Sequence, residues 1–352
     1  MSEISRVEQK ETLFACVRFA MTDYSQVSAR LLKLKEEVPA NIVSGPPILV
    51  RHYVSSVREG TLVELGFPVK REFTSDKVLT RTIQRVECLS LKTTCSMEDI
   101  GESYRKLFKY ADDAGIISDE YGIEILHELN ELSNCLIEAM LVIHPWENLF
   151  RRNLVRTLGE QEAQRVFSSW DTLPCCNSVD RKFNEISESV ARLDESAGEF
   201  TRYDCLSSCA HVFPMEQILK LKSVFQLTAA RGGSMLDAVD AVITFMNGDP
   251  GWTEIAIRDG NVIRTAKGPR DPKAYAEALN PDDRAAAACF CPIIRNKLKE
   301  GMSPTFCYCG AGWYRQQWEG ATGLPARVEV LKSLLKGDDE CLFEVHLQMK
   351  KD

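Results

Sequence analysis

The sequence predicts an α+β protein in which a duplicated βαββ unit is followed by a helix-rich α+β domain that is rich in cysteine. The first observation is a repeat. An apolar stretch around Glu64 returns in weaker form around Glu138, and repeats of this kind determine the architecture of a chain. The second observation is that four of the thirteen cysteines lie in residues 1–147 and nine lie in residues 148–352. We therefore expect two domains that meet near residue 147.

The first copy of the repeat has the pattern of one helix and three strands. Val27, Leu31 and Leu34 give an apolar stripe at helical spacing. The residues Gly45-Pro46-Pro47 interrupt the chain before the next apolar run. The elements expected from these patterns are a strand at Leu13–Phe19, a helix at Tyr24–Lys35, and strands at Ile48–Val54 and Thr61–Val69.

The second copy has the same order of elements. Ser96 and Asp99 form a capping box at the start of a helix, and Gly115 suits the end of that helix. The offset that relates Glu64 to Glu138 also relates Val50 to Glu124. The expected elements are a strand at Gln84–Lys92, a helix from Ser96 to about Ala111, and strands at Tyr121–Leu126 and Leu136–Ile143.

Residues 148–352 combine helical patterns with two predicted hairpins. Leu149, Leu154 and Leu158 recur at helical spacing near the start of this part. Asp259-Gly260-Asn261 is a turn signal within the alternating segment Thr253–Arg264. The second hairpin is expected to join Arg327–Leu334 to Cys341–Leu347.

Several segments of the first part resemble the GyrI-like small-molecule-binding family, whose fold also serves as the effector-binding domain of multidrug-responsive regulators. The resemblance covers residues 10–147. It departs from the family pattern at Ser118–Tyr121, where a second Gly-Pro-Pro is absent. The segments that carry the resemblance are Gly45-Pro46-Pro47 before a strand, Glu64–Val69, Ser96–Tyr104 and Ile137–Val142.

The resemblance implies two βαββ halves around a central groove that Glu138 faces from the last strand. In regulators of this type the acid receives cationic aromatic ligands, and in GyrI-like hydrolases it helps to open reactive compounds. Glu64 and Glu124 are further candidates, although Glu64 also suits the exposed face of a sheet. The aromatic residues that suit either the groove or ordinary core packing are Tyr53, Tyr104, Tyr121 and Trp146.

Six cysteines of the second part are candidate metal ligands. They form two Cys-x-Cys pairs, which place both sulfurs on one side of an extended segment, and one pair with the i,i+4 spacing of a helix face. These residues are Cys289 with Cys291, Cys307 with Cys309, and Cys205 with Cys209. Two pairs supply the four thiolates of a tetrahedral zinc site, and an iron–sulfur cluster is the other metal group considered. A redox thiol and inert buried thiols are the alternatives.

Composition narrows the class of function. A net charge of −8 without a basic cluster disfavours nucleic-acid binding. No segment approaches the roughly 20 apolar residues of a membrane span, and residues 1–10 lack the core of a signal peptide. We expect a cytoplasmic binding protein for a small, partly aromatic or cationic molecule. The alternatives are an interaction adaptor and a hydrolase in which Glu138, its pKa raised by burial, acts as acid or base or stabilises positive charge.

Overall fold

The chain forms two compact units. The computed structural model describes residues 3–52, 54, 61–131, 134–174, 176–249, 252 and 254–348. The first unit contains the chain up to Asp113 together with Ser118–His144, and the second contains Ala114–Ile117 together with the chain from Pro145 onward. The main transition, between His144 and Pro145, therefore lies slightly before the predicted boundary.

In its described residues, the first unit forms an eight-stranded antiparallel sheet with two helices. The strand order is β1-β6-β8-β7-β3-β4-β2-β5. In this order β2-α1-β3-β4 and β6-α2-β7-β8 occupy equivalent places, so the duplicated βαββ topology is confirmed. The elements are β1 (Ser5–Gln9), β2 (Thr12–Met21), α1 (Ser25–Glu37), β3 (Ile48–Arg51), β4 (Thr61–Pro68), β5 (Leu79–Ile83), β6 (Val86–Cys95), α2 (Ile100–Asp113), β7 (Ser118–Glu131) and β8 (Asn134–Ile143).

The pairing of residues between strands gives the offset in residue number between the two copies of the repeat. Val17 pairs with Leu65, and their counterparts in the second copy, Leu91 and Ala139, pair with each other. The central strand is different, because Glu64 pairs with Val50 whereas Glu138 pairs with Ile125, the residue after Glu124. The predicted equivalence of Val50 and Glu124 is therefore wrong by one position, and such a shift in a strand reverses the face of the side chain.

Both helices pack on the same face of this sheet. The Tyr104 hydroxyl of α2 lies against Gly122 of β7, where a Cβ atom would collide with it. Gly122 pairs with Arg51 of β3, and the Arg51 guanidinium lies 5.4 Å from the centre of the Tyr24 ring, just before α1. Phe14 of β2 belongs to an apolar cluster on the other face of the curled sheet.

Strands β1 and β5 were not expected from the sequence. Each has five residues and few apolar side chains, so neither has a periodic pattern long enough to predict a strand. β1 pairs with β6 and β5 pairs with β2, so β1 and β5 form the two edges of the sheet. Tertiary pairing, rather than local pattern, therefore defines these two edges.

The second unit contains nine helices, a four-stranded antiparallel sheet and two 3₁₀ turns among its described residues. The sheet order is β11-β12-β10-β9, which confirms both predicted hairpins. The elements are α3 (Trp146–Leu158), α4 (Glu160–Val166), α5 (Val179–Ser196), α6 (Glu199–Ser207), α7 (Met215–Ala230), α8 (Met235–Gly248), β9 (Ile255–Asp259), β10 (Val262–Lys267), α9 (Pro272–Glu277), α10 (Pro281–Ala288), 3₁₀ turn Pro304–Cys307, α11 (Tyr308–Thr322), β11 (Ala326–Lys332), 3₁₀ turn Leu334–Lys336 and β12 (Cys341–Leu347).

The α+β class is confirmed in both units, but the setting of the second Cys-x-Cys pair differs from the expectation. Cys307 ends a 3₁₀ turn and Cys309 lies in the first turn of α11, so this pair is helical rather than extended. None of the helices in the described part of the chain is long and apolar enough to cross a membrane.

Candidate functional site

Glu64 and Glu138 lie on the same face of the sheet in the first unit. Residues that pair across antiparallel strands point to the same side, as do residues two apart on one strand. Glu64 pairs with Val50, and Val50 pairs with Ile123. Ile125, two positions further along β7, pairs with Glu138. We call the side that carries these five residues the groove face; it is opposite to the face that carries the helices.

Glu64 is a fully neutralised carboxylate. Its side chain is completely buried, and Arg18 donates hydrogen bonds of 2.9 and 2.6 Å to Oε1. Arg81 donates from Nε to Oε2 at 2.6 Å, and His52 Nε2 lies 3.5 Å from the same oxygen. Burial alone would raise the pKa of Glu64, but His52 and the two guanidinium groups lower the pKa to about 2. The alternative that Glu64 lies on the exposed face of the sheet is therefore wrong.

Glu138 has weaker partners and is partly accessible. Ser90 donates a hydrogen bond of 2.7 Å to Oε1, and His127 Nε2 lies 3.0 Å from Oε2. The side chain is 22% exposed. Burial raises the pKa of Glu138, but the hydrogen bonds from Ser90 and His127 outweigh it, so the pKa is lowered. The raised pKa expected for a general acid is therefore wrong, and Glu138 is ionised at neutral pH.

Each copy of the repeat pairs its acid with a histidine. His52 contacts Glu64, and His127 contacts Glu138 in the second copy. The sequence alone suggested no role for either histidine. The signal was present, because the two histidines are separated by the same offset as Val50 and Ile125 of the central strands. The equivalence of the two histidines can be recognised only when the one-residue shift of the central strand is known.

The two acids differ because the edge strands differ. Arg81 on β5 pairs with Phe14, and the equivalent of Phe14 in the second copy, Cys88, pairs with Val7 on β1. Valine therefore occupies the place of Arg81, one of the two arginines that neutralise Glu64, and Lys92 occupies the place of the other, Arg18. Among the described residues, Glu138 has no arginine or lysine within ion-pair distance.

Glu124 does not belong to the groove face. It neighbours Ile123 on β7 and therefore points to the helix side, where it is fully buried against Arg51. Burial lowers the pKa of Arg51, but the Glu124 carboxylate outweighs it and keeps the pKa raised. Tyr104 is fully buried on the same side, and burial followed by the charge of Glu124 raises the pKa of its hydroxyl. Glu124 and Tyr104, both predicted to bind the ligand, are therefore part of the core.

The remaining aromatic candidates are separated. The Tyr121 ring lies 5.6 Å from His52 in an edge-on arrangement, and its hydroxyl accepts a hydrogen bond of 3.2 Å from Arg81. Tyr121 is therefore on the groove face. Trp146 belongs to the second unit, where it is fully buried beside Phe150. Tyr53 lies outside the described residues.

The lowered pKa of Glu64 predicts a loss of stability in acid. A group whose pKa is depressed on folding stabilises the protein above its unfolded pKa and loses that contribution as the pH falls through its folded pKa. A shift from 4.5 to about 2 corresponds to roughly 3 kcal/mol, which should disappear between about pH 5 and pH 2. Urea unfolding followed by circular dichroism should show this loss. The Glu64→Gln variant should show a smaller pH dependence, whereas Glu37→Gln, which removes an exposed pair with Lys77, should behave like the unaltered chain.

A second candidate site lies within the second unit. A cavity of about 350 Å³ is lined by both Cys-x-Cys pairs together with Cys341, the first residue of β12. The structure thus brings together Cys289, Cys291, Cys307 and Cys309. The contribution of Cys341 was missed, because a single cysteine at the start of a hairpin strand carries no spacing signal. Apolar side chains form much of the remaining lining, among them Phe306, Trp313 and Phe343.

Cys205 and Cys209 lie behind this cavity rather than in its wall. Both are completely buried. The Cys205 sulfur lies 2.9 Å from the Thr157 hydroxyl, and the Cys309 thiol donates a long hydrogen bond of 3.6 Å to the Cys209 carbonyl. Cys209 therefore lies next to Cys309, one of the cavity cysteines, but neither Cys205 nor Cys209 lines the cavity.

The cavity thiols do not have the properties of reactive cysteines. Burial, followed by repulsion from neighbouring thiolates, raises the pKa of Cys289 and of Cys291 to about 12. Burial also raises the pKa of Cys309 to about 11. A redox or nucleophilic thiol requires a lowered pKa. These thiols are therefore protonated at neutral pH unless a bound group stabilises the thiolates.

Comparison with known proteins identifies one sequence family. A model described as a family of unknown function, DUF6144, matches residues 285–351, a segment that contains all five cavity cysteines. No curated protein matches the chain.

Solved structures that are similar to this chain match about two fifths of it. The EcmrR C-terminal domain is 13% identical with a TM-score of 0.35, and the match covers 41% of this chain and 98% of that domain. SAV2435 bound to tetraphenylphosphonium is 7% identical with a TM-score of 0.28, covering 40% and 93%. A hydrolase encoded by lin2189 from Listeria innocua is 10% identical with a TM-score of 0.29, covering 40% and 92%. In the EcmrR–DNA complex, the match spans only 57% of the EcmrR chain.

Proposed function

We propose that the protein binds a small, cationic and partly aromatic molecule on the groove face of its first unit, with Glu138 as the charge partner. The observation that carries this proposal is the contrast between the two equivalent acids. Glu64 is buried and neutralised by Arg18 and Arg81, whereas Glu138 is ionised, partly exposed and hydrogen-bonded to Ser90 and His127, with the charge of Lys92 acting on it from beyond ion-pair distance.

The surroundings of Glu138 suit such a ligand. Its neighbours on the groove face include Ile123, which is fully buried, and Met140, which is 2% exposed. Apolar side chains around a single carboxylate favour a molecule that combines hydrophobic surface with one positive charge. The two hydrogen bonds to Glu138 orient its carboxylate before a ligand arrives, which reduces the entropic cost of binding.

Loss of the Glu138 charge should weaken cation binding. Tetraphenylphosphonium is a suitable probe because it joins four aromatic rings to one positive charge. The Glu138→Gln variant should bind it about 10- to 100-fold more weakly in isothermal titration calorimetry, because a charge-assisted contact contributes roughly 1.5–3 kcal/mol. The Glu37→Gln variant removes an equal charge from an exposed ion pair and should leave the affinity unchanged.

Because the lowered pKa keeps Glu138 ionised between pH 7 and pH 5, the Glu138→Gln variant should bind more weakly than the unaltered chain at both pH values. Equal affinity of the unaltered chain and the Glu138→Gln variant would contradict the proposal, as would equally tight binding of a neutral triaryl compound. Turnover of a reactive compound that disappears in Glu138→Gln would instead support a hydrolase with Glu138 as base or charge stabiliser.

A further inference from the structure

The second unit gathers five thiols from three separate parts of the chain around one cavity. Two come from the segment after α10, two from the junction between the 3₁₀ turn Pro304–Cys307 and α11, and one from β12. All five thiols line the same cavity. Thiolates are soft ligands that select zinc, copper(I) or iron–sulfur clusters. Such a concentration of sulfur in an apolar cavity therefore indicates a thiophilic metal group.

The spread of the sulfurs distinguishes between these groups. Four sulfurs around one zinc lie about 3.8 Å apart, since each Zn–S bond is about 2.3 Å long. In the described part of the chain, three donor atoms within 4.8 Å of one another occur at Glu329, Glu344 and His346, and no cysteine belongs to such a group. In a [4Fe–4S] cluster each cysteine binds a different iron atom, and in a [2Fe–2S] cluster only two cysteines share an iron, so neither cluster requires three sulfurs to lie this close together.

The size of the cavity leads to the same conclusion. A volume of about 350 Å³ is on the order of ten times the share of one water molecule in the liquid. A single ion surrounded by four sulfurs occupies much less volume than this cavity. An inorganic cluster with several metal and sulfide atoms requires a cavity that is larger than one ion and lined by cysteines on several sides.

The wall carries a group that stabilises an anionic cluster. The Lys267 ammonium lines the cavity, 3.9 Å from the centre of the Phe290 ring and 5.4 Å from that of Trp313. Positive charge and hydrogen bonds to cysteine sulfur are the main features by which proteins stabilise iron–sulfur clusters and set their potentials.

We propose that this cavity holds an iron–sulfur cluster whose ligands are drawn from Cys289, Cys291, Cys307, Cys309 and Cys341. When a preformed cluster is inserted, each ligating thiol displaces one terminal ligand from an iron atom, so one iron–sulfur bond forms as one iron–ligand bond breaks. The displaced ligand takes up the thiol proton, and no oxidation state changes. The site is in the second unit and does not depend on the ligand proposed for the groove face.

The test is metal analysis of the full chain, purified without oxygen and reconstituted with ferric iron, a thiol reductant and sulfide. We expect iron and acid-labile sulfide in equal amounts, about two or four of each per chain, with visible absorption that dithionite bleaches. The Cys291→Ser and Cys309→Ser variants should lose most of the iron. Cys95→Ser in the first unit and Cys205→Ser behind the cavity should retain it. One equivalent of zinc bound without iron, or no metal after reconstitution, would overturn the proposal.

A second variant protects the test against a failure of the cysteine variants to fold. Lys267→Met removes no ligand and should retain the iron, but it removes a positive charge that favours the more negative, reduced state. Its reduction potential should therefore shift to a more negative value than that of the unaltered chain. An unchanged potential would show that Lys267 does not lie beside a redox-active cluster and would contradict the proposed location.

Discussion

The Arg51→Met variant is expected to lose about 3–5 kcal/mol of the stability of the first unit, the largest effect of any single change considered for that unit. Arg51 and Glu124 are both completely buried, and Arg51 donates a hydrogen bond of 3.2 Å to Glu124 Oε2 in addition to a closer contact with Oε1. Methionine fills much of the volume of arginine but carries no charge. The change therefore leaves the Glu124 carboxylate unpaired in the core, and breaking a buried pair on one side has a cost of this size.

A double variant separates the cost of the unpaired charge from the value of the pair. Arg51→Met combined with Glu124→Leu removes both charges, and it should recover most of the lost stability, because buried ion pairs contribute little compared with apolar packing. Urea unfolding followed by far-UV circular dichroism, with hydrogen exchange of β3 and β7 to identify the unit, measures both variants. If the double variant were as unstable as the single one, shape rather than charge would govern this position.

The second large effect is expected in the second unit for Gly312→Ala, which should lower its stability by about 2 kcal/mol or more. Gly312 lies within α11, where alanine is normally favoured over glycine by about 1 kcal/mol. A Cβ atom at this position would nevertheless collide with the carbonyl oxygen of Ser207, the last residue of α6, and would lie 2.7 Å from its carbonyl carbon. Both atoms are backbone, so α6 and α11 would have to move apart, and such overpacking usually costs about 1–3 kcal/mol or more.

Gly101→Ala is the matched control for this prediction. Gly101 is also helical, in α2, but a Cβ there has no atom within 4 Å. This variant should stabilise its helix by about 0.5–1 kcal/mol. Tryptophan fluorescence is a suitable readout for Gly312→Ala, because Trp313 and Trp318 are both on α11. A Gly312→Ala variant as stable as the unaltered chain would mean that α6 and α11 approach each other less closely than the structure indicates.

The glycines of α11 show what a local sequence pattern leaves unexplained. The segment Gly310-Ala311-Gly312 does not follow a strand, as a dinucleotide-binding turn does, and its structure is helical. The physical reason for Gly312 is the close approach of α6 at Ser207. No local pattern contains that information, since the contacting residue is remote in sequence.

The sequence by itself determined the duplicated βαββ order, the α+β class and the two hairpins of the second unit. These features rest on alternation, helical spacing and turn residues, which act between neighbours along the chain and therefore can be read from it. The tertiary structure decided which acid is neutralised. Arg81 reaches Glu64 from β5, whereas Val7 of β1 takes that place in the second copy.

The tertiary structure also decided the face of Glu124 and the set of thiols in the cavity. One additional residue before the central strand of the second copy turns Glu124 to the helix side, away from Glu138. Cys341 joins the two Cys-x-Cys pairs only because β12 brings its first residue to the cavity. Such outcomes depend on strand register and on contacts between distant segments, where a shift by a single position reverses a side chain, and the local pattern is nearly the same for either result.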